Sequence, residues 1–321
     1  MRKLSNWLLP EWAQPDHPLL QYEPYLFRRN GERTGFIVQL SLLSVFLGAS
    51  AALFAALVMR PASATNLTSL FWQSVYYPTL ALQLLTLILA LTLGASSVGG
   101  ERSRKTWDNL RVTEFGAGLA LRTRWAGILY RLRAPITLIL LVRLLLIAGI
   151  LYDLTAYGGL YTEILSAQAK PPLPEWRLDL LLISLAVTAV VLLPIVQIAV
   201  VAAFGILLTV AIRERIYALA IQMLVIAVQL AFAAAGALAV SQMIRSDAAA
   251  ASSWSYALVY GYSAFGDWGL LLAQLGSLGE IWHRVPFGAT ISLLLMILVL
   301  ALGLAADGMM WLAGHISERR E

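Results

Sequence analysis

The sequence predicts an all-α integral membrane protein with six transmembrane helices. Three observations predict it. Of the 321 residues, 60% are hydrophobic and 13% charged, where a soluble domain carries about 25% charged residues. Six apolar runs are each long enough to cross a hydrocarbon core of ~30 Å, which takes about 20 helical residues. Lys and Arg are concentrated in alternate loops, as the positive-inside rule requires. No polar stretch supplies a soluble domain, so the chain divides into an N-terminal segment, 1–34, and a transmembrane domain, 35–321.

Within 1–34, residues 19–33 contain Glu23-Pro24-Tyr25-Leu26-Phe27-Arg28-Arg29 and lead into the first span. No cleavable leader is expected, because the run after Met1-Arg2-Lys3 is short and broken by Pro10, Glu11 and Pro15. The spans are 35–59, 71–98, 134–152, 180–212, 216–244 and 287–312. The fourth carries Pro194 at its middle, where a kink or break is expected because proline donates no backbone hydrogen bond. With both termini cytoplasmic, seventeen basic residues lie inside and only Arg60, Lys170, Arg177, Arg245 and Arg284 outside. Residues 248–279 carry the single charge Asp267, helix-interrupting glycines at Gly261, Gly266 and Gly269, and a set of Trp and Tyr residues. This pattern fits a re-entrant or interfacial hairpin on the outer face. A seventh span there would move the Arg319-Arg320 tail outside, against the charge rule.

The loop between the second and third spans is the most informative. In its second half, Leu121, Trp125, Ile128 and Leu132 form one stripe, flanked by Arg122 and Arg133 on one side and by Arg124 and Arg131 on the other. Such a helix either lies in the membrane plane, its stripe in the acyl boundary and its arginines at phosphates, or extends the third span. In the first half, Glu101, Arg102, Arg104, Lys105 and Asp108 surround Trp107 and Leu110. An aromatic anchor with a charged rim fits a docking surface, and a plain positive-inside loop is the alternative.

A span ending in small residues, followed by Glu101, Arg102, Arg104, Lys105, Thr106, Trp107, Asp108, Leu110 and Thr113, resembles the membrane subunits of type-2 ABC (ATP-binding-cassette) exporters. The resemblance covers nearly the whole chain as architecture and about a dozen residues as motif. It implies an N-terminal amphipathic cytoplasmic helix at 19–33, a coupling segment at 101–113 contacting an ABC ATPase subunit, and a second permease copy or paralogue that completes the transporter. It also implies a cell (plasma or inner) membrane location. Glu114 stands where the family has proline, and Arg28-Arg29 where it often has an acid.

The chain has no Gly-x-x-x-x-Gly-Lys-Ser/Thr loop, so ATP and Mg are expected on the partner, with no cofactor in this chain and no enzymatic activity of its own. With no cysteine and three scattered histidines, no metal or haem site is expected. The basic residues are read as membrane topology, with the bilayer and not nucleic acid as partner. Gln83, Arg143, Gln197 and Gln229 fall near the centres of four spans, either lining a polar path or joining helices. Arg143 must meet protein or water, and Asp307, the one acid well inside a span, is its expected partner. The expected function is an export permease. The competing class is a non-transporting scaffold subunit, and an intramembrane enzyme lacks any nucleophile–base pair.

Overall fold

A computed structural model describes residues 10–14, 17, 20, 31–58, 67–97, 116–156, 176–212, 214–245, 261 and 292–319. The described residues are helical, with no strand among them: α1 (Gly31–Val58), α2 (Leu67–Ser97), α3 (Gly116–Arg131), α4 (Arg133–Ala156), α5 (Trp176–Ala211), α6 (Arg215–Arg245) and α7 (Leu294–Arg319). A 3-10 turn, Glu11–Ala13, precedes them. Five of the helices (α1, α2, α5, α6 and α7) are long and apolar enough to cross a membrane. The described residues are therefore those of a helical, multi-pass membrane protein. The predicted 101–113 coupling segment, the 248–279 hairpin except Gly261, and most of the N-terminal amphipathic segment lie outside the described residues.

The central helix is α5, packed along its length on α2 and α7 and touching α3, α4 and α6 as well. Its apolar faces explain this position. Ala189, Leu193, Ile198, Ala202, Ala203, Ile206 and Val210 are buried, and no residue of its carboxyl half is exposed, whereas Leu181, Ser184, Thr188 and Leu192 form an exposed stripe on its amino half. α6 is peripheral, with only 6% of its apolar window buried against protein.

Small residues let α2 and α5 approach almost backbone to backbone. A Cβ on Gly94 would fall 2.6 Å from the Ala202 carbonyl oxygen, and one on Gly205 would fall 2.7 Å from the Leu91 carbonyl oxygen. Beside this crossing, the Thr209 hydroxyl donates to the Ala95 carbonyl at 2.7 Å. Close small-residue contact of this kind joins helices where lipid supplies no hydrophobic drive.

Of the kink or break expected at Pro194, there is no break: α5 runs through it as one helix. α3 and α4 are separated only by Leu132, and the backbone bonds Leu132 N to Ile128 O and Ile136 N to Leu132 O carry the chain through the joint. Pro135, in the first turn of α4, has no N–H to continue the α3 ladder.

Candidate functional site

Two polar assemblies hold the helices together, one inside the bundle and one where α3 meets the carboxyl-terminal halves of α2, α5 and α7. The inner one begins with a proline. Pro194 has no N–H, so the helical bond it would donate to the Val190 carbonyl cannot form. Arg143, on α4 and fully buried, donates from Nη1 to that same carbonyl. Gln83, on α2 and fully buried, faces the other edge of the guanidinium. With its amide turned to match donor and acceptor, Oε1 accepts from Nη2 at 2.9 Å and from Nε at 3.0 Å. Three helices thus meet on one arginine.

This arrangement corrects one expectation. Arg143 does not pair with Asp307. Asp307 accepts instead from Arg122 of α3, Nη2 to Oδ1 3.3 Å, with side chains 38% and 71% exposed for Arg122 and Asp307. Of the other central amides, Gln197 is buried on α5 and Gln229 is half-buried on α6. The structure brings Gln83 and Arg143 together, and Gln197 and Gln229 sit on separate stretches of the bundle.

The second assembly is centred on α3. Its stripe does not face the acyl boundary: Leu121, Ile128 and Leu132 are buried in the main hydrophobic core, with Trp125 packed against it. Trp125 Nε1 donates to the Ala199 carbonyl of α5 at 2.8 Å. Arg124, almost fully buried, donates from Nη1 to the Ser97 carbonyl at 2.7 Å. Ser97 is the last residue of α2, so the cation meets the negative end of that helix and satisfies one of its terminal carbonyls. Arg131 and Arg133 are exposed. Gly118 and Gly314 bring α3 and α7 together, since a Cβ on Gly314 would lie 3.4 Å from the Gly118 Cα.

The N-terminal turn caps this junction. Trp12 stacks on Trp125 with ring centroids 6.1 Å apart, and the Tyr130 hydroxyl donates to the Ala13 carbonyl at 2.8 Å. Burial raises the Tyr130 phenol above its ordinary value, which keeps it a neutral donor. Ala13 and Leu20 are buried. Sequence reasoning did not single out Trp12 or Tyr130. The available signal was an apolar, aromatic N-terminal segment facing an aromatic-bearing helix.

Among the described residues no group of His, Asp and Glu is arranged to hold a metal. No protein-family model, curated protein or solved structure matches the chain.

Proposed function

We propose that the chain is the permease subunit of a type-2 ABC exporter, contributing its spans to an export path driven by a separate ATPase. The reading takes six spans with both termini cytoplasmic, in a plasma or inner membrane, with α4 as the third span. Residues 101–113 are the segment that meets the ATPase, which supplies ATP and Mg. A second copy or paralogue completes the path. The cargo class that suits a mostly apolar interior is amphipathic.

One observation carries the reading. α3 follows the 101–113 segment directly, and it is bonded at once to α2 through Arg124, to α5 through Trp125 and to α7 through Arg122. Displacing the segment displaces α3, and α3 moves the carboxyl-terminal halves of three spans together. Packed cores transmit such displacements because they are dense and nearly incompressible. The scaffold reading draws on the two departures from the family pattern, Glu114 and Arg28-Arg29.

The test is co-purification from native membranes, with ATP hydrolysis measured in lipid nanodiscs. The wild type is expected to carry an ATPase, and Trp107→Ala to lose it. Trp125→Ala is expected to keep the ATPase and lose nucleotide-dependent change in hydrogen exchange of α2 and α5. An ATPase missing from the wild-type preparation would leave the scaffold reading standing alone.

A further inference from the structure

Beyond the permease reading, and independent of it, the surface of α7 carries a second feature. A cleft of about 300 Å³ lies between α3 and α7, walled by Arg122, Trp311, His315 and Glu318 over a floor that includes Gly118 and Gly314. Trp311 and His315 stack with rings 8° from parallel and centroids 5.4 Å apart, forming one flat aromatic wall. Arg122 supplies a guanidinium, and the Glu318 carboxylate hangs over Gly118, its Oε1 3.9 Å from where a Cβ would sit. The Arg122 guanidinium, held at Nη2 by Asp307 with its other N–H groups uncommitted to that pair, the Glu318 carboxylate and an aromatic face therefore line a single opening.

The cleft is continuous with an apolar track. Ile297, Leu300 and Leu304 are exposed, and they recur with Gly308, Trp311, His315 and Glu318 at three- and four-residue steps. At 3.6 residues per turn these positions share one stripe about 80° wide. Gly308 leaves a notch in that stripe, since nothing lies within 4 Å of the position a Cβ would take. The track is apolar towards the amino end of α7 and turns polar and aromatic in its last turns. That is the order of acyl chain and headgroup, with Trp311 at the level where indoles favour the interface.

We propose that this cleft binds a phospholipid with a phosphoethanolamine headgroup. Its phosphate meets Arg122 by charge-assisted hydrogen bonds. Its ammonium donates to Glu318 and lies against the Trp311 face. One acyl chain follows Leu304 and Leu300 through the Gly308 notch. A phosphoglycerol headgroup has no cation for Glu318, and a phosphocholine headgroup has no N–H to donate, so phosphoethanolamine is the preferred class.

The test is native mass spectrometry of the full chain, equilibrated with phosphatidylethanolamine, phosphatidylcholine and phosphatidylglycerol of matched acyl chains. Phosphatidylethanolamine is expected to be retained best, and Glu318→Gln to weaken it by about tenfold through loss of one charge-assisted bond. Gly308→Leu fills the notch without touching a charge and is expected to reduce retention of phosphatidylethanolamine. Equal retention of the three lipids, or retention unchanged in both variants, would overturn the proposal. Binding of glycerophosphoethanolamine as tight as that of the intact lipid would overturn the lipid assignment. A dimer that protects Trp311 from modification would give the stripe to a second copy and overturn it too.

Discussion

At the scale of single residues, the buried guanidinium of Arg143 dominates. A cation in the middle of a span costs about 2.5–3.5 kcal/mol on insertion scales, and here the bundle itself offers it acceptors. Gln83 accepts two of its bonds, and the Val190 carbonyl accepts another because Pro194 leaves that carbonyl open. Removing the two side chains therefore has unequal consequences. Gln83→Leu strips acceptors from a charge that stays buried, and is expected to destabilise the protein by about 2–3 kcal/mol. Arg143→Met removes the charge and leaves only neutral groups unsatisfied, so it costs less. The double variant is expected to be more stable than Gln83→Leu alone, as unfolding in mixed micelles would measure. Strictly additive losses would mean the two side chains do not act as a unit. The sequence marks Gln83 and Arg143 as central polar residues but pairs Arg143 with Asp307, because matching charges overlooks an uncharged acceptor. The missed signal lay in the spacing, with Pro194 four residues after Val190.

At the scale of elements, the contact between α2 and α5 sets the core. Gly94 and Gly205 each meet the other helix's backbone, which has no rotamer by which to yield. Gly94→Ala is expected to cost about 1–3 kcal/mol by forcing the helices apart, and Gly205→Ala a similar amount. Gly48→Ala, on α1 with nothing within 4 Å of its Cβ position, is the control and is expected to be neutral or slightly stabilising. A thermal melt of the three variants in one detergent checks the order. Five of the six predicted spans fall on helices long and apolar enough to cross a membrane, because length and hydropathy bound a helix that must satisfy its backbone in lipid; the predicted third, 134–152, falls on α4, which is not one of those five. The predicted sixth span, 287–312, overlaps α7 (Leu294–Arg319), and residues 287–291 lie outside the described residues. The course of α3 was not legible. Leu121, Trp125, Ile128 and Leu132 make a stripe that suits lipid and protein equally, and only the tertiary partners on α5 and α7 decide between them.

At the scale of the whole molecule, the distribution of charge and the position of α3 bear on the same question, which way round the bundle sits. α3 gathers the carboxyl-terminal halves of α2, α5 and α7, so these three helices run in the same sense. The eight basic residues of 102–133 precede or lie within this junction, and the proposed orientation, with the positive-inside rule, places it on the cytoplasmic side. The chain contains no cysteine, so a single introduced thiol reports its own side of the membrane without interference. Ser63→Cys, between α1 and α2, is expected to react with a membrane-impermeant maleimide in intact cells. Ser103→Cys, just ahead of α3, is expected to react only after permeabilisation, as is Glu321→Cys at the end of the chain. Ser277→Cys separates the two treatments of 248–279. An outer hairpin leaves it reactive from outside together with a protected Glu321→Cys, whereas a seventh span reverses the tail and exposes Glu321→Cys. Reaction of Ser103→Cys in intact cells would put the α3 junction on the outer face, where no ATPase can reach it, and the permease reading would fail with it.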